Sequence, residues 1–203
     1  MSKLIFKNIT ERVGVTEDLL DGRRTQFLWP IHKNHGCGDI VLVHEDGTAV
    51  FKDLRLKRQW RCHPNHRIGD VLPVAQSYSD IYDEMLEKKR NGNYKAFVGR
   101  KDHFRRTRGW KNRAAVNPDI LPHRIVITGI GVTNLETISE EDCLRQGIYE
   151  VGSETGGKRY TYKRSDTTFP DPISALRRMA CEASRFKGRW ADSWYWTYSF
   201  ELI

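Results

Sequence analysis

From residue 194 the chain reads WYWTYSFEL, in which Trp194, Trp196, Tyr198, Phe200 and Leu202 alternate with Tyr195, Thr197, Ser199 and Glu201. A period of two puts the first set on one side of a β-strand and the second on the other. A strand with so apolar a face has to be covered by a second layer, which commits the chain to a sheet with other elements packed on it. HRIVITGIGVTNL, residues 123 to 135, is a second strand, expected at the centre of that sheet because Ile125, Ile127 and Val132 are strand formers.

Other stretches extend the pattern. DIVLVHEDGTAVF, residues 39 to 51, predicts a hairpin, with two apolar runs around Asp46-Gly47, a dipeptide that accepts positive φ. Residues 71 to 78, after Gly69-Asp70, predict a further strand. Helices are expected after Thr16 as N-cap, with Glu17 and Asp18 in the first turn and Gly22 at the exit, and over residues 80 to 92. Two more are expected, from Ser139 to a stop at Gly147, and from Asp171-Pro172 with Ile173, Leu176, Ala180 and Ala183 on one face. Strands scattered among short helices without regular βαβ spacing predict a mixed α+β domain around a small β-barrel or curled sheet. One domain over residues 1 to 203 is expected, with 32–68 and 79–108 as insertions or extensions and 150–170 as another inserted or mobile loop.

Composition narrows the function classes. The formal net charge is +8 and the isoelectric point near 9.4, which suits a polyanionic partner such as nucleic acid. The charge is local: residues 88 to 113 carry eleven Lys and Arg against Asp102 alone, a net +10, so the rest of the chain sums to −2. Lys88, Lys89, Arg90 and Lys95 open this run, and Arg100, Lys101, Arg105, Arg106, Arg108, Lys111 and Arg113 complete it. Tyr94, Phe97, Phe104 and Trp110 lie between them, setting rings on which bases could stack beside cations for phosphates. The alternative is a solvated segment anchored by those aromatics.

Cys37, Cys62, Cys143 and Cys181 form no Cys-x-x-Cys pair and are expected as reduced thiols. No stretch approaches the ~20 apolar residues of a membrane helix, and the opening MSKLIFKNITERVG interleaves charge with apolar groups. A soluble cytoplasmic protein is the expectation. His32, His35 and Cys37, followed by Cys62, His63 and His66, are zinc-type donors in a spacing that matches no finger, so they read as loop residues and no metal or cofactor is expected. There is no Gly-x-Ser-x-Gly, no His-Glu-x-x-His and no phosphate-cradling loop; GSETGG at 152 to 157 reads as a turn.

Five blocks carry a resemblance: LLDGRRTQ at 19–26, IGDVLPVAQSY at 68–78, GWKNRAAVNPDILPHRIVITGIGVTNLETISEEDCLRQGI at 109–148, DPISAL at 171–176 and YSFELI at 198–203. Together they resemble the ASCH-domain family, in the versions carried by phages, prophages and Bacteroides-type bacteria. The resemblance implies a PUA-like fold, a small β-barrel with flanking helices and a cleft, that binds RNA or a modified nucleoside. Some small members are amidohydrolases that remove the acetyl group of N-acetylated cytidine, using a Lys, a Thr and a Glu.

Carried over motif by motif, the Lys position falls on Arg24, the Thr position on Phe27 and the Glu position on Gln146. Arg stays protonated at ordinary pH and cannot act as a base, Phe has no nucleophile, and an amide does not shuttle protons. The expectation is therefore a binding module with a degenerate catalytic site. Its ligand pocket would use Arg24, Thr25, Phe27, Trp29, Gln76, Tyr78 and Gln146. Its nucleic-acid contacts would use Arg23, Arg24 and the cations Arg100, Lys101, Arg105, Arg106, Arg108, Lys111 and Arg113, with RNA ahead of DNA. Two alternatives stand beside it: an amidohydrolase of modified nucleosides with relocated groups, for which His123, Asp142 and Glu141 are available, and a phage-type protein-interaction module presenting Trp29 or Trp194.

Overall fold

The computed structural model describes residues 14–31, 39–53, 57–88, 100–152, 157–183 and 194–203. They fall into two compact units, one of residues 71–125 with Ile203, the other of the remaining described chain. The fold is α+β, with antiparallel strands, few helices, and a sheet strongly curled into a half-barrel.

In the larger unit, β1 (Gln26–Pro30) pairs antiparallel with β9 (Trp194–Leu202), with Phe27 opposite Tyr198 and Trp29 opposite Trp196. On its other side β9 is flanked by β6 (Arg124–Asn134). The alternation in β9 predicts one apolar face, yet Tyr195, Trp196, Thr197 and Tyr198 are all buried, because layers lie on both sides of the strand at its centre. On the Tyr198 side, Phe27 stacks at 5.0 Å, and the Trp196 indole donates to the Gly47 carbonyl at 3.1 Å. Burying rings of this size contributes on the order of 2 kcal/mol apiece.

Strands β2 (Asp39–Val43), β3 (Ala49–Asp53) and β4 (Arg58–Cys62) form a second antiparallel sheet within the 32–68 stretch expected as an insertion. The predicted Asp46-Gly47 turn forms, with Gly47 at φ 81° and the Asp46 carboxylate accepting from both the backbone and the hydroxyl of Thr48. β4 left no periodic signal because Trp60, stacked on Phe51 at 5.9 Å, is its sole large apolar residue. In the 150–170 stretch, read as a loop, β8 (Lys158–Tyr162) pairs with β7 (Ile148–Gly152), and Phe169 adds a bridge to Tyr160. Residues 153–156 of GSETGG lie outside the described residues.

The helices of this unit follow their sequence signals with one correction. α1 (Val15–Leu20) is preceded by Gly14 at φ 72°, so Gly14 and not Thr16 is the N-cap, and Thr16 is buried inside the first turn. The helix called α4 below (Glu140–Arg145) starts at Ser139, whose hydroxyl accepts from the Asp142 N–H, and Gly147 at φ 90° turns the chain after it. The last helix (Pro172–Ala183) buries Ala175, Leu176, Met179 and Ala180, with the Asp171 carboxylate accepting from Ser174.

In the smaller unit, the strand expected over 71–78 is cut to β5 (Val71–Pro73), and α2 (Tyr78–Lys88) begins at Tyr78. Ser77 and Asp80 cap one another: the Asp80 carboxylate accepts from the Ser77 N–H at 3.0 Å, and the Ser77 hydroxyl accepts from the Asp80 N–H at 3.1 Å. This reciprocal cap sets the helix start in place of a longer strand. Next come α3 (Lys101–Arg105) and three 3-10 turns, Arg108–Trp110, Arg113–Ala115 and Pro118–Ile120. Tyr78, Ile81, Val116 and Leu121 form the core, with Met85, Phe104 and Trp110 packed against it.

Candidate functional site

In the larger unit the DGRRTQFLWP junction places its side chains by strand geometry. Gly22 at φ 74° turns the chain out of α1, and Arg24 then forms a backbone bridge with Gln146. Arg24 and Gln26 share one face by the period of two, while Thr25, Phe27 and Trp29 take the other. Residues assigned by sequence to a single pocket thus fall on two sides of one strand.

The Arg24 side is buried and polar. The Arg24 guanidinium donates to the Gln146 carbonyl oxygen at 3.4 Å and reaches the Met179 sulfur at 3.6 Å. Gln146 in turn donates to Gln26 at 2.7 Å, and Gln26 to Asp142 at 3.2 Å. The Ser139 hydroxyl closes the series on the second Asp142 oxygen at 2.9 Å. Arg24, Gln26 and Gln146 are at most 4 % exposed, so their amide and guanidinium groups bond one another within the fold.

Beside them lies Asp18, completely buried on α1. Neither of its carboxylate oxygens has a hydrogen bond among the described residues; Arg23 Nε stands 3.3 Å from Oδ1 without hydrogen-bond geometry. Burial pushes its pKa up to about 6, against the opposing pull of Arg24, Arg23 and Lys163. Gly147 makes room for the arrangement, since a Cβ there would lie 3.0 Å from Asp18 Oδ2 and 3.2 Å from an Arg24 nitrogen. Around this corner the outer cations meet acids: Arg23 and Lys163 bind Asp21, Arg164 binds Glu17, and Lys163 holds the Asp21 carboxyl below its ordinary value. Arg23 also stacks over the Tyr149 ring at 5.5 Å.

On the other face, Phe27 is buried among Tyr198, Phe200, Trp29 and His66. Trp29 is half-buried, its ring edge-on to His66 at 6.2 Å, and Thr25 is exposed. Burial lowers the His66 pKa and raises that of the Cys62 thiol. His63 bonds the Thr48 hydroxyl at 3.1 Å. His32, His35 and Cys37 lie outside the described residues, among which no group of three or more possible metal ligands occurs.

Gln76 and Tyr78 belong to the smaller unit. Gln76 is buried and donates to Glu84 at 2.9 Å, and the other Glu84 oxygen holds His123 Nε2 at 2.7 Å, tying α2 to the residue before β6. The Tyr78 ring lies against Gly109, where a Cβ would come within 2.3 Å of it, and its hydroxyl accepts from the Asn117 N–H at 3.4 Å. Of the predicted phosphate-binding cations, Arg113 pairs with Asp80 at 3.1 Å and Lys101 sits 4.3 Å over the Tyr82 ring. Arg100, Arg105, Arg106, Arg108 and Lys111 are exposed, and none of the five makes an ion pair among the described residues. Lys89, Arg90, Lys95, Tyr94 and Phe97 lie outside them.

Sequence reading missed Asp18, Gln26 and Glu84. Asp18 looked like an ordinary first-turn helix acid, and Glu84 one polar residue among many on α2. Gln26 had a usable signal, its spacing of two from Arg24. No helix among the described residues is long and apolar enough to cross a membrane. Comparison with family models, with curated proteins and with solved structures finds no match to this chain.

Proposed function

We propose that the protein is a nucleic-acid-binding module of ASCH type, with RNA as its first ligand, that grips through the 100–111 segment of the smaller unit. The observation that carries this is the density of exposed cations in one short segment. In the larger unit Arg145, Lys158, Lys163, Arg164 and Arg178 are committed to carboxylates and Arg159 and Arg177 to carbonyl oxygens, while Lys57, Arg58, Arg61 and Arg67 are exposed without an ion pair among the described residues and are spread over eleven positions. In the smaller unit five exposed cations within twelve residues have no acid partner among the described residues. Such a row suits phosphates, whose condensed counterions are released on binding.

The test is fluorescence anisotropy with a labelled RNA of about twenty nucleotides. With about five phosphates contacted, affinity for single-stranded RNA falls roughly 100-fold between 50 and 200 mM salt. R105E/R106E weakens binding at least tenfold at low salt. Absence of binding at low salt, or full affinity in the double variant, refutes the proposal.

A second reading, hydrolysis of an N-acetylated nucleoside, draws on the Arg24 corner, where the carboxyl of Asp18 lies buried beside Arg24 and Gly147 and would have to be uncovered to reach a substrate. Incubation with N-acetylated cytidine tests it: turnover that R24A and D18N both abolish would favour it over the binding module.

A further inference from the structure

Resting on that reading, we infer that the 100–111 segment recognises the sugar–phosphate backbone of its nucleic acid and not the bases. Single-strand binders that use bases present aromatic platforms beside their cations. Here, among the described residues, the Phe104 and Trp110 rings between the cations are half-buried against the core, and His103 is the exposed ring. The Phe104 ring lies 4.6 Å from that of Tyr78, the Trp110 ring 6.2 Å from that of Tyr82, and both pack on Ile81, Val116 and Leu121. The Tyr82 ring is capped by Lys101, and the His103 imidazole stands edge-on to Phe104 at 5.5 Å.

Groove readout needs a rod that enters the groove. α3 has five residues and gives way, through the extended Thr107, to a 3-10 turn, so the segment is too short to serve as a recognition helix. Five exposed cations within twelve residues, without an ion pair among the described residues, suit the phosphates of a strand without any contact to a base edge.

The full-length protein is titrated with three labelled ligands carrying equal numbers of phosphates per strand: a single-stranded RNA, an abasic strand and an RNA duplex. The expected result is equal affinity for the two single strands within threefold, with the duplex, denser in charge, at least tenfold tighter. R105E/R106E lowers all three by similar factors. An abasic strand bound tenfold or more weakly than the base-containing strand, with the difference removed by H103A or by Y94A/F97A, overturns this inference and leaves the proposed function standing. Failure of all three ligands to bind at low salt overturns the proposed function itself.

Discussion

Replacing Asp18 with Asn removes a charge from the buried corner while keeping the shape of the side chain. The folded state raises the Asp18 pKa from 3.8 to about 6, and two pKa units correspond to about 3 kcal/mol. Between the two values the folded protein holds a proton that the unfolded chain has released, so this group's contribution to stability falls as pH rises from about 4 to about 6. Above pH 6 the ionised carboxylate costs up to about 3 kcal/mol relative to its neutral form. An opposite expectation also exists, because removing one partner of a well-made buried ion pair costs about 3–5 kcal/mol. Geometry decides between them: neither Asp18 oxygen has a hydrogen bond among the described residues, and Arg23 pairs with Oδ1 at 3.3 Å without donating to it. D18N is therefore expected to be more stable than the parent at pH 8 by about 1–3 kcal/mol, with the gain vanishing near pH 4. Urea unfolding followed by tryptophan fluorescence at unit pH steps measures both curves, since the chain has six Trp. A variant less stable than the parent at pH 8, by a margin that grows with pH, would show that the charged carboxylate is what holds the two arginines, and would refute the reasoning.

Two glycines give sharper steric tests. G147A forces a side chain into φ 90° and against Asp18 and Arg24, so a loss of about 1–3 kcal/mol is expected in the same urea assay. G109A places a Cβ 2.3 Å from the Tyr78 ring and is expected to lower the melting temperature through overpacking of about 1–3 kcal/mol. Unchanged stability in either variant would mean that the close approach described here is absent in solution.

Much of the fold was legible where a local signal and the tertiary packing agree. The Asp46-Gly47 turn, the Ser139 cap and the strand from Trp194 all form, although the centre of that strand is buried on both faces and not on one. Misreadings arose where one signal hid another. Residues 71 to 78 are apolar enough for a long strand, yet the Ser77-x-x-Asp80 pattern inside them is a helix start, and the cap sets the boundary. Thr16 is a good capping residue by type, but Gly14, two residues earlier, takes the left-handed conformation and opens α1 first. At the candidate site, Arg24 and Gln146 meet across 122 residues of sequence. Phe27 was grouped with them through motif position, and the period of two in β1 separates it.

Under the proposed function, the aromatic residues between the cations serve as the anchors that the sequence offers as its alternative to base-stacking rings. A charged segment that must become ordered when ligand arrives loses affinity to that ordering, at about 0.5–1.5 kcal/mol for each immobilised side chain and more for the backbone. Phe104 and Trp110, seated on the Tyr78 and Ile81 core, and Gly109, pressed against the Tyr78 ring, fix the backbone that carries Arg105, Arg106, Arg108 and Lys111 before any ligand is present. Exposed ion pairs add 0–1 kcal/mol each, so leaving these four without acids gives up little folding stability. Their unpaired state is therefore weakly selected by folding, and it is the state that a polyanion would require. In this arrangement the rings anchor the backbone that carries the cations, and under the proposed function the bases of a strand need not touch them.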